Sequence, residues 1–234
     1  MDAKSFWMRI ILTSLAIAIV GAPVAAAPAT DALLQKVIAG ARAVPPASIA
    51  YDRSSRTTAR ENGGASETHV QVDRWDGRQM LRISTDGKPA TPDEIAKANK
   101  TSAGLPVAGY HRVADLLASG ARRTGEAAGQ VTYHIDRLPK GSVNIGGDRS
   151  ADMAGDATID TTGPQPFVSR IHFFLHKPLS IMFVAKLDKF DSVNDYRIGA
   201  DGRPVLVHQL RTIVGSQFGT AGETRTESTY TPLR

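Results

Sequence analysis

Cysteine is absent from all 234 residues of the chain. A lipid-anchored bacterial lipoprotein needs a cysteine directly after its signal, and a disulfide-stabilised secreted domain needs several, so both classes are excluded. Metal sites built on thiolate ligands are excluded for the same reason. The fold must therefore be stabilised by a hydrophobic core, and the chain is long enough to form one domain of good size.

Long hydrophobic runs are missing beyond the first residues of the chain. Lys4 and Arg9 precede an apolar run over residues 10–20, and the small residues Ala25, Ala26 and Ala27 follow it. This basic, apolar and small-residue order is typical of a secretory signal peptide. The run is shorter than the roughly 20 residues that a helix needs to cross a bilayer.

We therefore expect a cleavable signal peptide over residues 1–27, with cleavage after Ala27 or, as an alternative, after Ala29. The mature product would be a single β-rich domain over residues 28–234 that is periplasmic, soluble and without a stable membrane anchor. Its oligomeric state is left open by the sequence.

The chain also lacks a strong charge imbalance, with 28 basic and 23 acidic residues. Without the leader the formal charge is (28 − 2) − (23 − 1) = +4. The basic residues are dispersed and are not interleaved with aromatics, so nucleic acid is not an expected partner. The positive sign favours an anionic lipid or an acidic protein, and a solvated, mildly basic surface is the plain alternative.

Catalytic and metal-binding motifs are missing as well. The chain has no Gly-x-Ser-x-Gly and no His-Glu-x-x-His pattern. His172 and His176 lie four apart on an expected strand, about 13 Å from each other at ~3.3 Å per residue, which is too far to chelate one metal. We therefore assign no catalytic residue, no metal ligand and no cofactor, and an unrecognised hydrolase is only a third alternative.

Three helices are indicated by their capping residues and apolar spacing. The first is expected over residues 31–43, with Thr30 as its N-cap. The second follows a capping box of Thr91 and Glu94 and runs to about Asn99. The third begins near Tyr110 and ends at Gly120. We expect these helices to cover one face of a sheet.

The clearest strand signal is a hairpin around Asp76-Gly77, a preferred two-residue turn. In that register Trp75 faces Arg78, and Val72 faces Leu81. One face of the hairpin is then apolar and the other polar, as a half-buried antiparallel pair requires.

The rest of the chain is predicted to form strands and turns. A second hairpin at Asp201-Gly202 places Asp195 opposite His208 as a cross-strand ion pair. A strand is expected over residues 181–189, and residues 224–230 form a polar strand suited to an edge. Eight to eleven strands with about three short helices predict a mainly β (α+β) fold, a large curved antiparallel sheet or open half-barrel covered on one side.

Apolar residues on alternating positions of these strands mark a candidate cavity. The main interpretation is an ordinary core packed against the helices. The sharper one is an apolar hollow in an incompletely covered sheet, able to hold an acyl chain. Its candidate lining residues, chosen by face, are Val70, Val72, Leu81, Ile83, Phe173, Met182 and Phe183.

The order of these parts, with the sequence Arg74-Trp75-Asp76-Gly77-Arg78 in the hairpin, resembles the periplasmic lipoprotein-localization family, the LolA/LolB-like fold. That resemblance covers most of the mature chain. It implies an unclosed β-barrel capped by helices around a hydrophobic cavity that shields lipid acyl chains. Since the chain has no cysteine, it is similar to the soluble carriers of that family and not to the anchored acceptors.

Two functions of different kinds follow as hypotheses. The first is a periplasmic carrier or sensor that holds a lipid, another amphiphile or a lipoprotein in the hollow without covalent chemistry. The second is an envelope interaction module whose sheet edge or basic strand, residues 49–59, contacts another envelope protein.

Overall fold

A computed structural model of the chain describes residues 31–45, 50–102, 109–145, 147–181 and 185–233, without the side chains of residues 100–102. The predicted signal peptide, residues 1–27, lies outside this range. The helices are α1 (Ala32–Arg42), α2 (Pro92–Ser102) and α3 (Arg112–Ala118). The strands are β1 (Tyr51–Glu61), β2 (Ser66–Trp75), β3 (Met80–Thr85), β4 (Lys88–Pro89), β5 (Arg122–Ala127), β6 (Gln130–Ile135), β7 (Met153–Asp160), β8 (Phe167–Leu175), β9 (Leu179–Ile181), β10 (Ala185–Ile198), β11 (Pro204–Gln217) and β12 (Thr220–Pro232).

All twelve strands of the described ranges belong to one open antiparallel sheet. Its order is β4-β3-β2-β1-β12-β11-β10-β8-β7-β6-β5, with β9 paired to β10. The predicted mainly β, half-barrel-like fold with three helices is confirmed. The strand number exceeds the expected range because the chain adds the short strands β4, β5 and β9, which the sequence pattern did not resolve.

Helix α1 begins one residue later than predicted. Its N-cap is Asp31 and not Thr30, because the carboxylate of Asp31 accepts a hydrogen bond from the backbone N–H of Leu34 at 3.1 Å. The same carboxylate accepts the hydroxyl of Tyr133 at 2.6 Å. Asp31 therefore fastens the start of α1 to strand β6.

The capping box of α2 is confirmed. The backbone N–H of Thr91 donates to the carboxylate of Glu94 at 2.8 Å, and the backbone N–H of Glu94 donates to the hydroxyl of Thr91 at 3.3 Å. Helix α2 packs on β3, while α1 and α3 pack on each other at the other half of the sheet. The helices thus leave the middle of the sheet less covered than its two sides.

The main hydrophobic core lies between α1, α3 and strands β6 to β10. The apolar face of α1 that the sequence predicts is buried, and so are Val113, Leu116 and Leu117 of α3. They pack against Tyr133, Ile159 and other inward side chains of the sheet. None of the described helices is long and apolar enough to cross a membrane.

The predicted register of the first hairpin is wrong. Trp75 pairs with Met80 and Arg74 with Leu81, so residues 76–79 form a four-residue loop. The carboxylate of Asp76 accepts the backbone N–H groups of Arg78 and of residue 79 at 2.7 and 2.8 Å. These bonds hold the wider loop, which is why the two-residue Asp-Gly turn does not form.

Two further expectations for the second half are corrected. Residues 181–189 are not one strand, because Ile181 ends β9 and pairs in antiparallel fashion with Ala185, the first residue of β10. Strand β12 is not at an edge but lies between β1 and β11. Its polar residues are paired across the ladder, where the hydroxyls of Ser55 and Ser228 lie 2.8 Å apart. On β12 the buried polar residue Ser228 is thus hydrogen-bonded to a neighbouring strand, while Arg225, Glu227 and Thr229 alternate with it on the exposed face.

Candidate functional site

A groove of about 1120 Å³ opens on the helix-covered face of the sheet. It is lined by side chains of β1, β2, β3, β8, β10, β11 and β12, by α2 and α3, and by the loop of residues 139–145. The groove exists because α2 and the pair α1 and α3 cover different parts of the sheet. It is the candidate functional site.

One wall of the groove is apolar. Phe173, Phe190 and Leu116 line it and also belong to the main hydrophobic core. Val143 and Ile145 of the 139–145 loop continue this wall. The apolar part of a ligand can therefore pack against this wall of the groove.

A second apolar cluster lies at the opposite side of the groove. Tyr51, Trp75 and Tyr230 form it, and the rings of Tyr51 and Tyr230 meet edge to face with centroids 5.4 Å apart. Leu206 packs against this aromatic cluster and against the main core. Leu206 therefore connects the two apolar regions along the groove floor.

A polar row of Ser55, Ser228, Gln209 and Asn194 crosses β1, β12, β11 and β10, and Gln209 and Asn194 of this row line the groove. The side chain of Gln209 donates to Asn194 at 2.8 Å and accepts the hydroxyl of Tyr230 at 3.3 Å. The floor of the groove is therefore polar where the sequence-based interpretation expected an apolar hollow.

Charged groups lie beside this polar row. Asp73 is only 1 % exposed, and its carboxylate is shared by two arginines. Nη2 of Arg53 lies 2.8 Å from Oδ2, and Nε of Arg82 lies 2.5 Å from Oδ1. Arg211 also lines the groove, and none of the ion pairs found between described residues involves it. We call Arg53, Arg82 and Arg211 the arginine cluster.

Tyr230 lies against this cluster and shapes its electrostatics. Burial opposes the charge of Arg53, but Tyr230, Asp73 and Tyr51 outweigh burial and raise the pKa of Arg53. For Arg211 the balance is opposite, because burial and then the repulsion from Arg53 outweigh the attraction of Tyr230 and lower its pKa. In the ion pairs of the described residues, the arginine cluster has three guanidinium groups and one bound carboxylate, that of Asp73.

Two buried donors in the groove have no hydrogen-bond partner within the described part of the chain. They are Nε of Arg53 and Nε1 of Trp75. Since buried polar groups are normally hydrogen-bonded, these two unpaired donors show that hydrogen-bond acceptors are scarce in this part of the lining.

The whole lining carries an excess of positive charge. Three acidic side chains line the groove, Asp73, Glu94 and Asp115. Seven basic ones do so, namely Arg53, Arg78, Arg82, Lys97, Arg112, Lys140 and Arg211. A groove with this excess attracts anions over neutral or cationic molecules.

The structure places the seven predicted lining residues in three groups. Phe173 lines the groove. Met182 and Phe183 lie outside the described residues. The other four, Val70, Val72, Leu81 and Ile83, are not in the lining and alternate along β2 and β3 with residues that are.

These four side chains therefore point to the opposite face of the sheet, and Ile83 is 41 % exposed there. The alternation of apolar and polar side chains along β2 and β3 was predicted correctly. The assumption that the apolar side chains line the groove was wrong. Gln71, Asp73 and Trp75 of the polar face line it instead.

The arginine cluster and Tyr230 were missed by the sequence interpretation. Arg53 stands in the basic strand that the second hypothesis placed at a partner surface, yet β1 lies inside the sheet between β2 and β12. The available signal was the alternating polar face of residues 71, 73, 75 and 82, which contains the carboxylate of Asp73 and its partner Arg82.

The histidines lie mainly on the other face of the sheet. The predicted pair is present, with Nδ1 of His208 at 3.2 Å from Oδ2 of Asp195. Nδ1 of His134 on β6 lies 2.7 Å from Oδ1 of Asp156 on β7. Over the ranges that the structure describes, no three His, Asp or Glu side chains are arranged to hold a metal ion.

Comparison with known proteins assigns no family to this arrangement. The chain matches no protein-family model, no curated protein and no solved structure.

Proposed function

We propose that the protein binds a lipid or other amphiphile non-covalently in the groove, as an exported carrier or sensor of the periplasm. The observation that carries this proposal is a single groove of about 1120 Å³ that joins an apolar wall to a polar, charged floor. A molecule with an apolar body and a polar head fits both parts at once.

The size of the groove supports a ligand with a long apolar part. Small-molecule pockets usually measure about 300–1,000 Å³, so this groove of about 1120 Å³ is slightly larger than that range. Each buried methylene contributes about 0.8 kcal/mol, and the wall formed by Phe173, Phe190 and Leu116 can cover several of them. The export part of the proposal rests on the predicted signal peptide alone.

The first experiment asks whether a neutral apolar molecule enters the groove. The purified chain is titrated with N-phenylnaphthylamine, an uncharged dye whose emission rises in apolar surroundings, and the dye is then displaced with dodecanol. Saturable dye uptake and displacement are expected. Organic extraction of the protein followed by mass spectrometry should also release a co-purified lipid.

A matched pair of variants locates the binding. Leu206 and Leu81 are both half-buried strand leucines, but only Leu206 lines the groove. Leu206→Gln should weaken dye binding by at least about fivefold, which corresponds to roughly 1 kcal/mol of lost apolar contact. Leu81→Gln should leave it unchanged. Equal effects of both variants, or no saturable binding by the unaltered protein, would refute the proposal.

A further inference from the structure

The three positive charges of the arginine cluster are not balanced by an equal number of paired carboxylates. Arg53 and Arg82 share the single carboxylate of Asp73. Arg211 has no ion-pair partner anywhere in the described ranges, although it lines the same groove. Since two of the three guanidinium groups share one carboxylate and the accessible third has none, the set can take up a further anion through charge-assisted hydrogen bonds.

The position of Arg211 places its charge over the groove floor. It stands opposite Ser192 on β10 and opposite Thr226 on β12, both short polar side chains. Its surface remains accessible because the groove is open, yet surrounding protein replaces enough water to lower its pKa, with repulsion from Arg53 adding to this effect. An anion near Arg211 and Arg53 would relieve that repulsion.

Hydrogen-bond donors converge at the same place. Nε of Arg53 and Nε1 of Trp75 are enclosed by protein, but 33 % of the Arg53 side chain is exposed and supplies N–H donors to the groove that it lines. Arg53 is the register partner of Tyr230 on β12, and Trp75 packs in one cluster with Tyr230. An oxyanion accepts several such bonds at once, and bonds to charged donors are the strong ones.

Apolar surface begins directly beside these donors. Leu206 packs against the aromatic cluster on one side and the main core on the other. A chain attached to the oxyanion would therefore run from the arginine cluster along Leu206 to the apolar wall at Phe173 and Phe190.

We propose that the groove selects an anionic amphiphile, with the phosphate, sulfate or carboxylate of its headgroup held by Arg211 and Arg53. This inference rests on the proposed function and adds the charge of the ligand to it. The recognised chemistry is an oxyanion, which a free inorganic anion also carries, so the test includes both sources.

The experiment compares three ligands by isothermal titration calorimetry on the full purified chain after delipidation. Dodecyl phosphate, below its micelle concentration, carries both the chain and the anion. Dodecanol carries only the chain, and inorganic phosphate only the anion. We expect dodecyl phosphate to bind at least about tenfold more tightly than dodecanol, as one or two charge-assisted hydrogen bonds provide.

Two variants with a matched control assign the preference to Arg211. Arg211→Gln should reduce the preference for dodecyl phosphate over dodecanol to less than about threefold, whereas Arg211→Lys, which keeps the charge, should retain part of it. Arg225→Gln is the control, because Arg225 is an exposed arginine that alternates with Thr226 on β12 and does not line the groove. Circular dichroism confirms that each variant is folded.

The outcomes separate the two proposals. Equal binding of dodecyl phosphate and dodecanol, or a preference unaffected by Arg211→Gln, overturns the anionic headgroup and leaves amphiphile binding in place. Tight binding of inorganic phosphate with no binding of either dodecyl ligand supports an anion site at Arg211 and overturns the amphiphile. Absence of binding by all three ligands overturns both.

Discussion

Arg53 and Asp73 face each other across the ladder between β1 and β2, with Nη2 of the guanidinium 2.8 Å from Oδ2 of the carboxylate. In the adjacent register position the same two strands carry the reverse pair, Asp52 with Arg74, whose Nε lies 2.7 Å from Oδ1. The first pair faces the groove and the second faces the other side of the sheet. The two ion pairs differ in burial and in partners, because Asp52 is bound by Arg74 alone whereas the buried Asp73 is also bound by Arg82.

This relationship predicts unequal effects of removing the two carboxylates. Asp73→Asn leaves Arg53 and Arg82 without their shared counter-ion, and because Asp73 is buried the free energy of unfolding should fall by about 3 kcal/mol. Asp52→Asn should cost far less, since exposed ion pairs contribute little. Urea unfolding followed by circular dichroism measures both. Equal losses would contradict the difference in burial on which the groove description depends.

The N-cap of α1 predicts a pH-dependent contribution. Burial raises the pKa of Asp31, but hydrogen bonds from Tyr133 and from the backbone of Leu34 have a larger opposite effect together. The pKa of Asp31 therefore lies below its ordinary value of 3.8. A lowered pKa means that the stabilisation is complete above the ordinary value and is lost as the pH falls through the folded value.

Asp31→Ala should therefore lower the free energy of unfolding by about 1–2 kcal/mol at neutral pH, and the difference from the unaltered protein should shrink below the ordinary carboxylate pKa. Urea titrations at neutral and strongly acidic pH measure it. Asp93→Ala, at an exposed position in the first turn of α2, is the control and should change little. A difference that stays constant with pH would mean that the charge of Asp31 is not involved.

The β11–β12 turn predicts a stabilising substitution. Phe218 has φ +50° and is 76 % exposed, and Gly219 follows it with φ +82°. The left-handed region costs roughly 1 kcal/mol for most side chains, but asparagine adopts it readily in such turns. Phe218→Asn should raise the melting temperature, whereas Phe218→Ala should not, because alanine keeps the backbone penalty. A gain from both variants would point to relief of apolar exposure instead.

Gly215 predicts a strong packing effect. A Cβ at this position would overlap the carbonyl oxygen of Lys186, where β10 carries an irregularity in its pairing with β11. Gly215→Ala should destabilise the protein by about 2 kcal/mol, because the obstacle is backbone and cannot rotate away. Gly125→Ala meets nothing within 4 Å and should be neutral in the same thermal unfolding assay. A neutral Gly215→Ala would show that the two strands separate easily.

Much of the fold could be predicted from local patterns. The apolar face of α1, the capping box of Thr91 and Glu94, and the alternation along β2 and β3 are all properties of neighbouring residues, and the structure contains each of them. The pairing of Asp195 with His208 was also predicted, since a hairpin joins residues that are close in sequence. The Asp76 loop failed because side-chain bonds to the backbone favour a wider turn than the dipeptide alone suggests.

The candidate site was predicted much less well. Choosing Val70, Val72, Leu81 and Ile83 assumed that an apolar face must be the inner face, which fails where the inner face forms a polar groove. The position of β12 beside β1 could not be predicted from local patterns either. Tyr230 and Arg53 are neighbours only because strands from opposite ends of the chain pair with each other.

The sequence by itself determined the β-rich composition of the chain, its helix starts and the two-sided character of its strands, because each depends on spacing within a few residues. Only the tertiary structure decided which side of the sheet the helices cover. It therefore also decided which charged side chains are shielded from solvent. Arg53, Asp73 and Arg211 become a site because β1, β2 and β11 lie in one sheet with β12 among them. The electrostatic interactions of these side chains depend on the distances between them in the folded protein, and separation along the sequence does not give those distances.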